Sequence, residues 1–327
     1  MDAGSTLSAT APQPRPGSRE ATAKIAELLT LTSRTFALSI PLLPSPTDAE
    51  VGLAYLLFRI ADTFEDSVQW PAQRKMAALD DFAELLQRDA ADPETQQVAS
   101  RLTASWAQPY PDTHEGYNQL LDHTPLVLAQ LHLLEDERQP VIVEHTVRTC
   151  VGMKAFVERT DAEGRLTLED VDDLRHYCYI VAGIVGEMLT ELFLAAEDHL
   201  AEVADSLRAE ARAFGEGLQL VNILKDSAAD AVEGRFFLPA QVPREQVFEL
   251  ARGDLERAQN YVETLRHGGA HEGVVGFCAL PVLLARASLQ QLEQTGPGAK
   301  ISREQVFELT AGLEASLRTG TPIFAAP

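Results

Sequence analysis

The sequence predicts a single all-helical domain, and three observations carry that prediction. Apolar residues recur at three- and four-residue spacing along nearly the whole chain, the period of an amphipathic helix. Alternating, strand-like segments are nearly absent. Breakers cluster between the periodic segments: Pro41, Pro44 and Pro46, then Pro109 and Pro111, Pro239 and Pro243, Gly268-Gly269, and Gly296-Pro297-Gly298.

Taken in order, residues 1–18 are rich in Ala, Pro, Ser, Thr and Gly and are expected to form a disordered leader. Residues 19–327 show neither repeat nor linker and read as one domain. Helices are predicted over 20–40, 47–68, 71–90, 94–106, 114–135, 140–159, 167–195, 200–230, 243–266, 272–294 and 302–318. The helix at 167–195 follows Thr167 with Glu169-Asp170 and Asp172-Asp173, which capping and the helix dipole explain. It also carries Ala182-Gly183 and Gly186. Glycine costs a helix interior about 1 kcal/mol against alanine, so these small residues point to close approach by another helix or a ligand.

Composition narrows the function. The chain has 327 residues, 45% of them hydrophobic, enough for a core. A net charge of −22 argues against nucleic acid and against an anionic membrane surface. Cys150, Cys178 and Cys278 have no metal-ligand spacing and read as buried, reduced thiols of a cytoplasmic protein. Residues 1–20 lack the apolar core of a secretory signal. No stretch is expected to supply the roughly 20 apolar residues of a membrane span. The histidine spacings do not suggest zinc, and no P-loop, G-x-S-x-G or G-x-G-x-x-G is present.

Two acidic clusters carry the chemistry. Asp62, Glu65 and Asp66 lie in one; Asn222, Asp226 and Asp230 lie in the other. Residues at i and i+4 share a helical face, so each cluster forms a stripe. Other acidic clusters exist, at Asp80-Asp81 and Glu135-Asp136-Glu137, and acid pairs arise readily by chance in a chain with 49 acids. These two differ in following mostly apolar runs, Val51 to Phe58 and Leu218 to Leu224, where a solvated face is unusual. Facing each other across a cavity, they would offer oxygen ligands to Mg²⁺, which is commonly held by one or two carboxylates plus substrate phosphates. The implied substrate is a diphosphate.

Further residues fit that picture, each with a plainer alternative. Arg34, in Ser33-Arg34-Thr35-Phe36, could grip phosphate or lie along the helix surface. Arg59 could bind phosphate or only neutralise Asp62. Lys225 and Arg235 flank the second cluster, and Gly234-Arg235 could close over phosphate or be an ordinary turn. Tyr177 and Tyr55 offer a π face and a hydroxyl, or are packed core tyrosines.

Five blocks together resemble the squalene and phytoene synthases, which join two prenyl diphosphates head to head. They are Ser33 to Ala37, Tyr55 to Asp66, Tyr177 to Gly186, Leu218 to Asp230, and Gly234 to Pro239. Asp62-Thr63-Phe64-Glu65-Asp66, Gly152-Met153 with Phe156, and Phe277 to Pro281 look more like squalene synthase than phytoene synthase. Lys300-Ile301-Ser302-Arg303 resembles a basic segment near the nicotinamide cofactor in squalene synthases. Two positions depart from the family pattern: Ala229 where an acid is usual, and Lys225 where arginine is usual.

The resemblance implies an all-α isoprenoid-synthase bundle with a central cavity. It implies Mg²⁺ at Asp62, Glu65, Asp66, Asn222, Asp226 and Asp230, and diphosphate at Ser33, Arg34, Arg59, Lys225 and Arg235. Tyr177 and Tyr55 would take catalytic roles, and Lys300 and Arg303 would bind NADPH. The reaction implied is condensation of two farnesyl diphosphates through presqualene diphosphate to squalene. No membrane anchor is expected, beyond transient membrane contact for product release. Alternatives are a relative that ends at presqualene diphosphate, hydroxysqualene, dehydrosqualene or phytoene, a terpene cyclase, and a non-catalytic helical partner protein.

Overall fold

The computed structural model describes residues 14–33, 36–89, 92–135 and 137–324. The leader expected over 1–18 lies largely outside them. Its last residues form a turn, and Ser18 caps the first helix by accepting from the Ala21 amide.

Fourteen α-helices follow in the described chain. The first four are α1 (Arg19–Thr32), α2 (Phe36–Ser39), α3 (Thr47–Glu65) and α4 (Ala72–Leu86). Next come α5 (Pro93–Trp106), α6 (Glu115–Asp122), α7 (Thr124–Leu131) and α8 (Arg138–Glu158). The chain continues through α9 (Val171–Cys178), α10 (Ile184–Ala196), α11 (Ala204–Val232), α12 (Arg244–His267), α13 (Glu272–Thr295) and α14 (Arg303–Thr319). Two two-residue strands, β1 (Leu166–Thr167) and β2 (Arg235–Phe236), pair in parallel.

Three expected helices differ in detail. The segment 20–40 breaks after Thr32, where the Ser33 hydroxyl turns to cap α2 by accepting from the Phe36 and Ala37 amides. The segment 114–135 is two helices that meet at His123, because Pro125 fits only the first turn of a helix. The segment 167–195 starts at Val171, with Asp170 accepting from the Asp173 amide, as the capping reading expected. Between α9 and α10, Tyr179–Gly183 forms a π-helical turn.

Two groups of helices pack together. One gathers α1, α4, α6, α7 and α8 around α3; the other gathers α10, α12 and α13 around α11. The helix α3 is buried on nearly all sides from Val51 to Phe64, which explains its unbroken apolar run. The two groups touch where α10 meets α3 and α8. The small residues of the Tyr177–Gly186 block serve a helix contact. A Cβ added at Gly186 would lie 2.0 Å from the Ala211 carbonyl oxygen, and one at Gly215 would lie 2.0 Å from that of Ala182.

The three cysteines are free and buried. Two helical stretches, Val171–Ala196 and Glu272–Thr295, are long and apolar enough to cross a membrane, contrary to the sequence expectation. Both are mostly buried inside the bundle, where apolar surface on every side is what a core helix requires.

Candidate active site

An apolar cavity lies between the two helix groups. On α3, Val51, Tyr55, Phe58, Arg59 and Asp62 descend one face into it. On α11, Phe214, Leu218, Gln219 and Asn222 do the same from the opposite wall. Val181, Ala182, Val185 and Gly186 supply a third side, and Phe36, Ile40, Phe277 and Pro281 also line the space. The helical period thus carries each face from greasy to acidic, and both reach their acids at the same end.

That end opens into a polar mouth. Asp62, Glu65 and Asp66 line it from one side; Asn222, Asp226 and Asp230 line it from the other. Arg59, Tyr177, Gln219, Arg235 and Phe237 complete it. All six residues expected at the metal site therefore meet around one opening.

Arg235 joins the clusters across the gap. It donates to Asp66 Oδ1 at 2.7 Å and stands 3.8 Å from Asp230. Glu233 also pairs with it. Local structure fixes this reach. Gly234 takes φ +81°, a left-handed turn that ends α11, and β2 then pairs with β1 through Leu166 and Arg235. The other cations are also paired. Arg59 stands 3.3 Å from Asp62 and lies over the rings of Tyr55 and Tyr117. Lys225 donates to Asn222 Oδ1 at 2.9 Å and stands 3.3 Å from Asp226.

Burial disturbs the acids more than these pairs offset. Desolvation pushes the Asp62 carboxyl up to about 6, against the pull of Arg59 and with help from Asp66. Asp230 is likewise pushed up to about 6 by burial, against Arg235 and with help from Asp226. Glu65 is raised well above the usual carboxylate range, by burial first and then by Asp66. Arg59 is raised, because Asp62 and the tyrosines outweigh burial, which acts to lower it. The mouth favours added positive charge.

The donor set suits a hard cation: carboxylates and one amide, all oxygen. Among the described residues no three His, Cys, Asp or Glu side chains converge into a ready metal cage. A cation here would need further ligands, and substrate phosphate oxygens are the usual ones.

Tyr177 is buried at the mouth, stacked on Phe237 at 4.5 Å and edge-on to Phe156 at 5.1 Å. Burial and then Glu65 and Asp66 raise its hydroxyl well above the usual value. Tyr55 presents its ring to the cavity but donates its hydroxyl to the Thr32 carbonyl at 2.7 Å. Ser33 serves as a helix cap, and Arg34 lies outside the described residues. Lys300 and Arg303 are exposed and line neither the cavity nor the mouth. Their loop is nonetheless close to the second cluster, since the Gly298 amide donates to the Lys225 carbonyl at 2.9 Å.

Sequence reasoning missed several neighbours. Gln219 lies three residues before Asn222 on the same face, a spacing that could have revealed it. Phe237 lies two residues after Arg235 and supports Tyr177. Lys75 donates to the Glu65 carbonyl at 2.9 Å from the next helix, and nothing local signals that.

Comparison with known proteins bears on this arrangement. A sequence model of the family described as squalene/phytoene synthase matches residues 29–247. The squalene synthase of Mycosarcoma maydis is 28% identical over 303 residues, covering 80% of this chain and 49% of that protein. The squalene synthase of Bos taurus is 29% identical over 304 residues, covering 86% of this chain and 64% of that protein. The chain thus spans less than two thirds of the length of these relatives. A solved structure of TcSQS with a ligand superposes with TM-score 0.73 at 24% identity, covering 92% of this chain and 90% of that one. A dehydrosqualene synthase with a ligand gives 0.56 at 19% identity, covering 92% and 98%. At such identities the solved structures speak for the fold alone.

Proposed function

Since the chain belongs to the squalene/phytoene synthase family, we propose that it is a prenyltransferase that condenses two farnesyl diphosphates head to head and carries the product on to squalene. One observation carries the reading: two acid clusters and two arginines ring the mouth of a cavity that is apolar behind them, with Lys225 paired to Asn222 and Asp226 beside it. That is the shape of a ligand with a charged head and a hydrocarbon tail.

Asp62, Glu65, Asp66, Asn222, Asp226 and Asp230 would hold Mg²⁺, which when bound supplies Lewis acidity at the leaving diphosphate. Arg59, Lys225 and Arg235 stabilise the charge that builds on the diphosphate as the allylic C–O bond breaks. The second molecule's double bond attacks the resulting cation, and loss of a proton closes the cyclopropane of presqualene diphosphate. Tyr177, which lines the mouth, would stabilise this cation with its ring and assist proton loss with its hydroxyl. The apolar wall holds both chains and keeps out water, which would capture the cation.

The reductive half of the proposal rests on Lys300-Ile301-Ser302-Arg303 and on the squalene-like first motif. NADPH would be its hydride donor. The basic pair is exposed and lines neither the cavity nor the mouth. An earlier stop is the second reading, and Lys225 favours it. Its ammonium is already engaged by Asn222 and Asp226 and lacks the fork of an arginine.

The test is product analysis from farnesyl diphosphate and Mg²⁺, with and without deuterium-labelled NADPH. Labelled squalene is expected. An identical unlabelled C30 product in both reactions would favour the earlier stop. C15 products alone would favour a cyclase.

A further inference from the structure

Behind the cavity wall lies a charged group that the proposed reaction does not use. Glu216 of α11 is 0% exposed. It pairs with Arg212 one turn earlier and, at 2.9 Å, with Arg175 of α9. Arg175 also forks onto Asp254 of α12 at 3.0 and 3.3 Å. Arg212 lies over the Tyr179 ring, 4.7 Å from its centroid. Two arginines and two acids thus balance one another across three helices.

This quartet packs against the π-helical turn. A Cβ added at Gly183 would meet the Tyr179 ring at 2.8 Å and the Glu216 and Arg212 side chains at 3.4 Å each. The outer face of the turn therefore touches the quartet, while Val181 and Ala182 line the cavity. Arg175 lies two residues before Tyr177, on a different face of the same helix. A rotation of α9 that broke the Arg175 pairs would also swing Tyr177 off Phe237.

Stability alone is a poor reason to keep these charges, because apolar replacements of buried ion pairs are often as stable. Register is a better one. A π turn holds one residue more than an ordinary turn, and losing it would rotate α10 against α9 by about 100°. The quartet ties α9 to α11 and α12, and through Arg212 over the Tyr179 ring and the Glu216 and Arg212 stems against Gly183 it packs onto both ends of the turn in its present register.

We propose that Glu216 is a positioning residue: through Arg175 and Arg212 it fixes the π-helical register of Tyr179–Gly183, and so sets Tyr177 at the mouth and Val181 to Gly186 along the cavity. The kinetic side of this proposal rests on the prenyl diphosphate reading; the structural side does not.

The experiment uses the full chain, with three variants and two readouts. Glu216→Gln removes the charge at constant size. Glu216→Gln with Arg212→Gln removes one acid and one base, and keeps the test open if the single variant does not fold. Arg175→Lys keeps the charge but cannot fork. The first readout is the ¹⁹F resonance of 3-fluorotyrosine placed at position 177. The second is kcat and KM for farnesyl diphosphate with Mg²⁺, below every variant's melting transition. The resonance should move in all three variants. In parallel, kcat should fall fivefold or more with KM within twofold, and the double variant should regain melting temperature without regaining kcat. An unmoved resonance in the folded variants, or kcat that returns with stability, overturns the proposal. If the wild-type protein turns over no prenyl diphosphate, the functional reading fails, and the fluorine arm still decides the positioning role.

Discussion

Acid should tighten the metal-free protein, and Mg²⁺ with diphosphate should remove that effect. Burial raises Asp62 and Asp230 to about 6 in the fold, whereas both titrate near 4 in an unfolded chain. Between those values the folded state binds more protons. By linkage these groups contribute stability that is fully present below about pH 4 and lost as pH rises through 6. A gap of about two pH units between the folded and unfolded chain corresponds to roughly 3 kcal/mol for one group. The two share neighbouring charges, so we take about 3–5 kcal/mol for the pair rather than the full sum. At about 2 °C per kcal/mol for a chain this long, the melting temperature in EDTA should gain roughly 6–10 °C from them between pH 7.5 and 4. Other groups add slopes of both signs: Glu50 and Glu216 are raised by burial, while Asp161, Asp173 and Glu191 are lowered by hydrogen bonds and nearby arginines. The informative quantity is therefore the difference between wild type and Asp62→Asn with Asp230→Asn, followed by circular dichroism across that range. Equal slopes in the two proteins would refute the reasoning. So would a wild-type melting temperature at pH 7.5 that Mg²⁺ and pyrophosphate leave unchanged.

Asp226→Ala should abolish release of diphosphate while leaving the far-ultraviolet spectrum intact; near-normal turnover with Mg²⁺ would sink the proposed site. Tyr177→Phe should lower turnover with little change in substrate affinity, because the stacked ring stays and only the hydroxyl goes; an unchanged rate would leave the ring alone in the role. Gly215→Ala should cost at least about 3 kcal/mol, or about 6 °C of melting temperature, since the new Cβ would lie 2.0 Å from a backbone oxygen. A melting temperature within 2 °C of wild type would show that the π-helical turn and α11 are free to part.

Helical periodicity alone revealed much of the fold, because α3 and α11 each present a continuous face that passes from apolar to acidic. That the two faces meet is a matter of packing, visible in the cavity and mouth they share and in the placement of Arg235 between Asp66 and Asp230. Local spacing could not show Lys75 behind Glu65, since that partner comes from another helix, whereas the break at Ser33 is a local cap that a helix read on through Ser33 passes over. The small residues at Ala182 to Gly186 were legible as a close approach by another helix or a ligand; the helix contact is found, and the π turn beside it had no local signal. The apolarity of Val171–Ala196 has the same limit: length and composition alone cannot separate a core helix from a membrane span.

Charge at the mouth ties these features together. Asp62, Glu65, Asp66, Asp226 and Asp230 face Arg59, Lys225 and Arg235, five acids against three bases. Every base is already engaged: Arg59 by Asp62, Lys225 by Asp226 and Asn222, Arg235 by Asp66 and Asp230. A bare diphosphate would meet excess negative charge and find no free guanidinium among these three bases. A cation accepted by the acids changes both conditions at once, because it cancels the excess and loosens the acids' hold on the bases. The low dielectric that pushes the Asp62 and Asp230 carboxyls up to about 6 magnifies each of these effects. The ion pairs are thus better understood as a resting arrangement than as a source of stability, which exposed and half-buried pairs seldom provide. Under the proposed function, they would keep the mouth assembled around an apolar cavity until a charged head group and its cation arrive together.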